Sequence, residues 1–233
     1  GSVAGCADKS GRGQHFGQST SSARPSTGTR TFNGLNVLDF NGAQWMRSNT
    51  DFATGIDFTF YMFAKIDVVN HQNDSFFCLT TNDPDFQIDA GHSTQFLARY
   101  IDSGMGGAKT FATTAQHNAA VWSIVFNGYR NKKVNISVNG IPLSSATDYS
   151  TGPKQSTNSL NIFSNRGQSA FPEGFVGEFI VVNNMNYPGG GGVQEYLQKK
   201  WLGETFENDA FVLDTNGTLL TNRLLDYEVD EQN

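Results

Sequence analysis

The feature that most constrains the fold is a strict alternation of side chains over residues 57–67. One face of this segment carries Phe58, Phe60, Met62, Ala64 and Ile66, and the other carries Thr59, Tyr61, Phe63 and Lys65. A period of two residues is that of a β-strand, in which successive side chains point to opposite faces. The segment therefore predicts a long strand and not a helix.

Seven shorter runs repeat this strand-like character between turn clusters. They cover residues 75–80, 85–90, 95–101, 121–126, 134–138, 160–163 and 176–182. The dipeptides Asn127-Gly128 and Asn139-Gly140 are favoured in tight hairpins. Many short strands with such breaks predict an all-β fold, an antiparallel β-sandwich of the jelly-roll type. A chain of 233 residues can bury a core of this kind without a disulfide framework or a structural metal.

One short helix is predicted near the C-terminus, over residues 193–202. Its helical stripe consists of Val193, Tyr196, Leu197, Lys200 and Trp201. Gly203 is a typical stop signal after the last turn. We expect the stripe to pack on the sandwich, with Trp201 as a core anchor and not as a ligand platform.

The flanks differ in composition from the middle of the chain. Residues 1–34 are rich in Gly, Ser, Thr and Arg and predict an irregular N-terminal arm with the first loop of the sandwich, ending at the turn Asn33-Gly34. Residues 35–203 are predicted to be the jelly roll. The acidic residues 204–233 contain two strand-like pieces, 210–213 and 218–220, and are too few to bury a core of their own. They predict a fragment of a second module or an added hairpin.

Charge and motif content exclude several classes of function. The net charge is −6, the pI is about 5.1 and no basic patch is present, so nucleic-acid binding is not expected. No run of 18 apolar residues predicts a membrane span. The four histidines lack a zinc spacing, and no G-x-S-x-G elbow occurs. Cys78 lies in an apolar run and is expected to be buried, while a bridge to Cys6 and two free thiols both stay open.

Five stretches in order resemble the laminin-G-like, concanavalin A-like jelly-roll family. They are Asp8-Lys9-Ser10-Gly11-Arg12-Gly13, Arg24-Pro25, the stretch 33–42 (NGLNVLDFNG), the closing strand 175–183 (FVGEFIVVN) and the helix motif Glu195-Tyr196-Leu197 with Lys200-Trp201. The family often has a Trp where this chain has Cys6, and usually a strand before the first loop. The resemblance implies a sandwich that binds a ligand, commonly with calcium, through loops on one rim.

The C-terminal tail is similar to the middle of a cadherin-like repeat. Residues 211–219 (FVLDTNGTL) followed by Leu225-Asp226-Tyr227-Glu228 carry this resemblance. In that family the Glu is a calcium ligand, which implies the same role for Glu228. The other acidic elements of a complete site have no counterpart here, and calcium takes about six to eight oxygens. The resemblance implies a longer parent protein with tandem modules, secreted or exposed on a surface.

Two polar loops are the predicted ligand-binding rim. Asn70, Asn73 and Asp74 follow the long strand, and Asp83 and Asp85 follow the next one. Carboxylate and amide oxygens are the donors that calcium prefers. The candidate calcium ligands are Asp74, Asp85 and Asp89 at the rim and Glu228 in the tail.

Asp85, Gln87 and Asp89 lie on one face of a predicted strand, as carboxylates do in some glycosidases of this fold class. Retaining enzymes need two carboxyl groups about 5–5.5 Å apart, which suits positions i and i+2, but here the i+2 residue is Gln87. No catalytic residue is therefore assigned. A glycosidase stays open as an alternative.

The sequence favours a non-catalytic extracellular or cell-surface module for adhesion or ligand binding. Its expected partner is a glycan or another cell-surface ligand, with calcium as the expected cofactor. The alternative is an assembly unit of a surface layer, sheath or filament, in which the acidic tail adds a strand to a copy of the chain or to a neighbouring module.

Overall fold

The computed structural model shows a sandwich of two antiparallel sheets with one short helix, which confirms the predicted fold class. It describes residues 1–53, 58–69, 74–79, 86–89, 95–101, 108–114, 120–127, 133–138, 141–142, 157–164, 170–182, 190–204, 211–213 and 219–221.

The strands are numbered along the chain. The first seven are β1 (Gly5–Cys6), β2 (Phe16–Gly17), β3 (Ser26–Phe32), β4 (Leu35–Asn41), β5 (Met46–Ser48), β6 (Phe52–Ala53) and β7 (Phe58–Val68). The next seven are β8 (Ser75–Leu79), β9 (Phe86–Asp89), β10 (Gln95–Ile101), β11 (Ala108–Thr114), β12 (Ala120–Asn127), β13 (Lys133–Val138) and β14 (Ile141–Pro142). The last five are β15 (Thr157–Asn158), β16 (Leu160–Ile162), β17 (Glu173–Val182), β18 (Phe211–Leu213) and β19 (Leu219–Thr221). A 3₁₀ turn covers Ser21–Ala23.

Two large sheets form the sandwich. One has eight strands in the order β1-β2-β5-β16-β8-β9-β10-β11, and the other has seven in the order β14-β13-β12-β7-β17-β4-β3. The long strand β7 lies near the middle of the seven-stranded sheet, between β12 and β17. All eight strands predicted from the sequence are present within three residues of the predicted bounds.

Aromatic side chains fill the space between the sheets. Phe60 of the seven-stranded sheet meets Phe77 of the eight-stranded sheet with ring centroids 4.5 Å apart, and Phe40 stacks on Phe163 at 4.3 Å. All four are buried. Cys78 is also fully buried, which confirms that prediction, and both cysteines are free thiols.

The N-terminal residues differ from the predicted irregular arm, because they supply edge strands to both sheets. Strand β3 pairs with β4 at the edge of the seven-stranded sheet, and β1 and β2 close one end of the eight-stranded sheet. The predicted turn Asn33-Gly34 is confirmed: it joins β3 to β4, with φ of 47° and 75° at its two residues. An edge strand needs apolar residues on one face only, and β3 consists mostly of Ser, Thr and Gly. Its sequence therefore lacks the apolar alternation by which the other strands were predicted.

The predicted helix is confirmed but begins earlier, inside the glycine run. Helix α1 (Gly190–Leu197) continues as a π-helical turn over Gln198–Leu202, and Gly203 ends it in the left-handed conformation with φ of 69°. The predicted stripe faces the sheet, since Leu197 and Trp201 are buried and Val193 and Tyr196 pack beside them. Asn33 donates a hydrogen bond of 2.9 Å from its Nδ2 to the Lys200 carbonyl, which satisfies an acceptor in the last turn.

The C-terminal strands pair with each other. Strands β18 and β19 form an antiparallel two-stranded sheet with Val212 opposite Leu220. The two predicted strand-like pieces therefore form a hairpin. The boundary near residue 204 and the assignment of the tail to a second module stay predictions, as does its use in assembly.

Candidate functional site

The outer face of the seven-stranded sheet changes character along its strands. At one end, Val37, Tyr61 and Phe63 are buried under the C-terminal helix in a cluster with Phe175 and Trp201. Two residues further along β7 and β4, the same face carries charged side chains, at Lys65 and at Asp39. The helix covers the apolar end and leaves the charged end open.

A polar cluster joins the helix to the sheet. Glu178 Oε2 accepts hydrogen bonds from Lys200 Nζ at 2.8 Å and Trp201 Nε1 at 3.2 Å, and Tyr196 OH donates to Glu178 Oε1 at 3.2 Å. Burial lowers the pKa of Lys200, but its hydrogen bonds to Glu178 and Tyr196 outweigh this and raise the pKa above the ordinary value. Strand β17 bulges at Gly177, where an added Cβ would lie 2.7 Å from Phe63 Cδ1 and 2.9 Å from the Trp201 ring. These residues fix the helix and do not form an open site.

The open end of this face forms a cleft of about 390 Å³, which we call the outer-face cleft. Strands β3, β4, β7 and β17 and the segment after β4 contribute to it. Its lining consists of Ser26, Thr29, Arg30, Asp39, Phe40, Asn41, Gln44, Asp67, Glu173 and Gly174. Most of these side chains carry hydrogen-bond donors or acceptors.

Ion pairs across three strands hold the polar lining in place. Arg30 bridges two carboxylates, with its Nε 2.9 Å from Asp39 Oδ1 and its Nη1 2.5 Å from Asp67 Oδ2. Lys65 Nζ lies 3.0 Å from Asp67 Oδ1, and Thr29 Oγ1 donates to Asp39 Oδ2. The four charged side chains are 16–38% exposed, so this network lies at a partly buried surface.

The network keeps Asp67 ionised. Burial raises the pKa of this carboxyl, but hydrogen bonds from Arg30 and Lys65 and their positive charges outweigh it and lower the pKa below the ordinary value. The Arg30 guanidinium also lies 5.1 Å from the centroid of the Phe175 ring. Arg30 therefore links the lining of the cleft to the aromatic cluster under the helix.

Close backbone approach shapes the cleft at Gly174. A Cβ built there would lie 2.1 Å from the Lys65 carbonyl oxygen, a backbone atom that cannot move aside. Only glycine lets β17 pass this close to β7 at the end of their pairing, where the register shifts between Glu173 and Gly174.

Two residues of the predicted rim, Asp74 and Asp89, lie in the described part of the chain. Asp74 is fully buried just before β8, so its carboxylate does not face solvent as expected of a rim ligand. Asp89 ends β9, and its backbone lies opposite Ser75, next in sequence to Asp74. Asn70, Asn73, Asp83, Asp85 and Glu228 lie outside the described residues. Register thus brings positions 74 and 89 to the same end of the eight-stranded sheet.

The described residues do not by themselves supply a metal site. Among them, no group of three or more His, Cys, Asp or Glu side chains is arranged to hold a metal ion. The calcium prediction therefore depends on residues outside the described part of the chain.

The outer-face cleft is not among the sites predicted from the sequence, although a signal for it is present there. In β4, Val37 is followed at period two by Asp39 and Asn41, and in β7, Phe63 is followed by Lys65 and Asp67. Each strand turns from apolar to charged on one and the same face. Such a change predicts the point at which a covering element ends.

The fold and the cleft together define a jelly-roll sandwich with an open polar groove on one outer face. A laminin-G-like family model, described as the concanavalin A-like lectin/glucanases superfamily, matches residues 40–185, more than half of the chain. The chain belongs to this superfamily, as the residues of the first resemblance predicted. The cadherin-like resemblance of the tail stays a prediction.

Solved structures share the fold at low sequence identity. The binding domain of botulinum neurotoxin serotype G matches with a TM-score of 0.50 and 12% identity over 79% of this chain and 48% of that one. Domain 4 of the arabinanase AbnA from Geobacillus stearothermophilus, in complex with arabinotriose, matches with 0.50 and 13% over 67% of this chain and 74% of that one. Trypanosoma rangeli sialidase, in complex with the inhibitor DANA, matches with 0.51 and 14% over 74% of this chain and 28% of that one.

The chain thus spans about half of the neurotoxin domain and less of the sialidase. No curated protein matches the chain. Within the described residues, no helix is both long and apolar enough to cross a membrane.

Proposed function

We propose that the protein is a non-catalytic glycan-binding module that acts outside the cell or on its surface, and that the sugar binds in the outer-face cleft. The observation that carries this proposal is the fixed network of Arg30, Asp39 and Asp67 at an open concave surface. Binding sites are typically concave and hold a few polar groups in fixed positions.

The lining suits the hydroxyl groups of a sugar. A hydroxyl both donates and accepts hydrogen bonds, and the cleft offers carboxylate acceptors beside amide groups at Asn41 and Gln44. A carboxylate oxygen can accept more than one hydrogen bond, so the oxygens of Asp39 and Asp67 that meet Arg30 keep capacity for a ligand. Because the ion pairs already hold these groups, binding costs little side-chain entropy.

The comparisons support ligand binding and do not distinguish it from catalysis on a bound sugar. Two of the solved structures with this fold are, by their descriptions, a neurotoxin binding domain and an arabinanase domain in complex with arabinotriose. The superfamily contains both lectins and glucanases. We therefore distinguish lectin-like binding from glucanase-like catalysis by the carboxylates of the cleft.

The outer-face cleft is better suited to binding than to glycoside hydrolysis. A glycosidase needs one carboxyl group with a raised pKa as its general acid. Here Arg30 bridges Asp39 and Asp67, and the pKa of Asp67 is lowered. These two of the three carboxylates in the lining serve as fixed acceptors, which supports a binding role for them.

Calcium and the multidomain context are further parts of the proposal. The calcium would lie at the end of the eight-stranded sheet to which the strand register brings positions 74 and 89, completed by oxygens of Asn70, Asn73, Asp83 or Asp85. The cadherin-like tail, with Glu228, would then belong to a neighbouring module of a larger surface protein. Both points rest on the sequence resemblances.

The test is a glycan array probed with the intact chain, followed by calorimetric titration of the glycans that bind. Asp67→Asn and Asn41→Ala should each weaken binding at least about tenfold, since each removes groups that the ligand contacts. The matched control is Glu204→Gln, an exposed carboxylate just after the helix, and it should bind like the unchanged chain. Thermal unfolding checks that every variant is folded.

Two outcomes would contradict the proposal. One is a complete array without a bound glycan, and the other is glycan binding that folded cleft variants leave unchanged. A separate arm compares titrations in millimolar calcium and in chelator. Equal affinity in calcium and in chelator would remove calcium from the proposal but would not contradict glycan binding in the outer-face cleft.

A further inference from the structure

We propose that Gln44 sets the orientation of the bound sugar: an oxygen of the sugar that carries no proton faces the Gln44 amide, and hydroxyl groups face Asp39 and Asp67. Such a proton-free oxygen is the ring oxygen, a glycosidic oxygen or the carbonyl oxygen of an acetamido group. This inference rests on the proposed glycan-binding function and names a specificity-determining residue of the outer-face cleft.

The amide of Gln44 is held in one orientation. The backbone N–H of Asn41 donates to Gln44 Oε1 at 3.1 Å. A backbone N–H only donates, so the atom that it meets has to be the amide oxygen and not the amide nitrogen. Gln44 also lines the cleft, and the other branch of its amide, Nε2, offers two N–H donors there.

The backbone next to Gln44 is fixed as well. Trp45 N donates to the Ala23 carbonyl at 3.1 Å, and the Trp45 carbonyl accepts from Gln18 Nε2 at 3.1 Å. The Gln18 side chain that makes this contact is buried. The Gln44 donor is therefore preorganised, and its use by a ligand costs little conformational entropy.

The neighbouring groups of the lining are fixed as acceptors. Arg30 holds Asp39 and Asp67, and a carboxylate only accepts hydrogen bonds. Thr29 Oγ1 donates its proton to Asp39 Oδ2, so towards a ligand this hydroxyl offers its lone pairs. A sugar thus meets acceptors on strands β3, β4 and β7 and an amide donor on the segment after β4.

Hydrogen-bond pairing then decides which way the sugar lies. A ring oxygen or a carbonyl oxygen only accepts, so against a carboxylate it leaves two acceptors with no proton between them. A hydroxyl in the same place donates to the carboxylate. One mispaired group in a desolvated site lowers affinity about tenfold. The orientation that puts the proton-free oxygen at Gln44 and hydroxyls at Asp39 and Asp67 pairs these groups and is therefore preferred.

The decisive variant is Gln44→Glu. The introduced carboxyl can still accept from Asn41 N, but it replaces the Nε2 donor by a second acceptor. The variant should bind the glycans found on the array at least about tenfold more weakly at pH 7. Gln194→Glu, the same change on helix α1 and outside the lining of the cleft, is the matched control and should bind like the unchanged chain. Thermal unfolding checks that both variants are folded.

Titration at acid pH separates a lost donor from a damaged site. The introduced carboxyl has an ordinary pKa of about 4.3, and once protonated it can donate again. The affinity of Gln44→Glu relative to the unchanged chain should therefore recover as pH falls from about 7 to about 4. The unchanged chain is the reference at each pH, because titration of Asp39, Asp67 and Glu173 acts on both chains.

The second measurement changes the sugar. Each proton-free oxygen is replaced in turn by a methylene group. For one of them, the loss of affinity should be large in the unchanged chain and small in Gln44→Glu, because the oxygen and the amide act as a pair.

Three outcomes would overturn the inference and leave the glycan-binding function standing, since Asp67→Asn tests that function separately. They are equal or tighter binding by Gln44→Glu, a loss that does not recover at acid pH, and losses of variant and sugar analogue that simply add. An array without any bound glycan would overturn both proposals.

Discussion

Truncation of Trp201 should undo the attachment of the C-terminal helix to the sheet. Its ring is 4% exposed and stacks on Phe63, with centroids 5.1 Å apart and ring planes at 10°. Its Nε1 also donates to Glu178. Replacement of a buried Trp by Ala typically costs about 3–5 kcal/mol, because it removes apolar burial and leaves a cavity.

We expect Trp201→Ala to lower the free energy of unfolding by about 4 kcal/mol. For a domain of this length, each kcal/mol shifts Tm by about 2–4 °C, so the expected loss is about 8–16 °C. Trp201→Phe keeps a stacked ring and loses the hydrogen bond to a charged acceptor. Because Lys200 and Tyr196 still donate to Glu178, its cost should be smaller, about 1–2 kcal/mol.

The assay is urea unfolding followed by circular dichroism, with thermal unfolding beside it. Trp45→Ala is the matched control, since Trp45 is only partly buried and lies against Arg47 with a ring-to-cation distance of 5.1 Å. It should cost less than Trp201→Ala. A loss below about 1 kcal/mol for Trp201→Ala, or one no larger than for Trp45→Ala, would show that the helix does not pack as described.

The remaining predictions concern titration and thiol access. Because the pKa of Lys200 is raised, its contribution to stability is complete below the ordinary pKa of 10.5 and is lost as pH rises through the raised pKa. Glu178→Gln removes the carboxylate that pairs with Lys200, so it should flatten the decline of Tm at alkaline pH. Because the pKa of Asp67 is lowered, its contribution to stability is present above the ordinary pKa of 3.8 and is lost as pH falls through the lowered pKa. Asp67→Asn should therefore reduce the decline of Tm at acid pH. Mass spectrometry after thiol alkylation should find two free thiols in the unfolded chain. In the folded chain Cys78 should stay unlabelled and Cys6, whose pKa is raised by burial, should react slowly; labelling of Cys78 as fast as a free thiol would contradict its burial.

The strands of the core could be predicted because their side chains follow the period of a sheet. Residues 57–67 alternate clearly, and the observed β7 (Phe58–Val68) lies one residue further along the chain. Burial on both faces did not disturb the pattern, since Tyr61 and Phe63 are covered by the helix while Phe60 and Met62 face the other sheet. The helix could also be predicted, because its apolar stripe follows the period of a helix and Gly203 marks its end.

The site could not be predicted, because strand pairing brings together residues that are far apart in sequence. Arg30, Asp67 and Glu173 line one cleft because β17 inserts between β4 and β7 and the hairpin after Phe32 carries β4 back along β3. The change from apolar to charged residues on single strands shows that a covered face ends. It does not show which strands are neighbours.

The helix and the Arg30 network of the outer-face cleft are linked through the ring of Phe175, and this makes them testable as a unit. Phe175 belongs to the cluster under the helix, 5.6 Å from Phe63, and its ring also lies beneath the Arg30 guanidinium. A chain of rings therefore runs from Trp201 through Phe63 and Phe175 to the residue that bridges Asp39 and Asp67. Removal of Trp201 should loosen this support and let Arg30 leave its position.

We accordingly expect Trp201→Ala to weaken glycan binding severalfold, although Trp201 does not line the cleft, and Trp201→Phe to preserve most of the affinity. Titration is carried out well below the Tm of each variant, so that all the protein is folded. Trp45→Ala separates a general loss of stability from loss of this particular support, since Trp45 contacts neither Phe63 nor Phe175 through an observed ring pair. Unchanged affinity in folded Trp201→Ala would mean that the ion pairs alone position Arg30, and that the aromatic cluster serves stability and not the site.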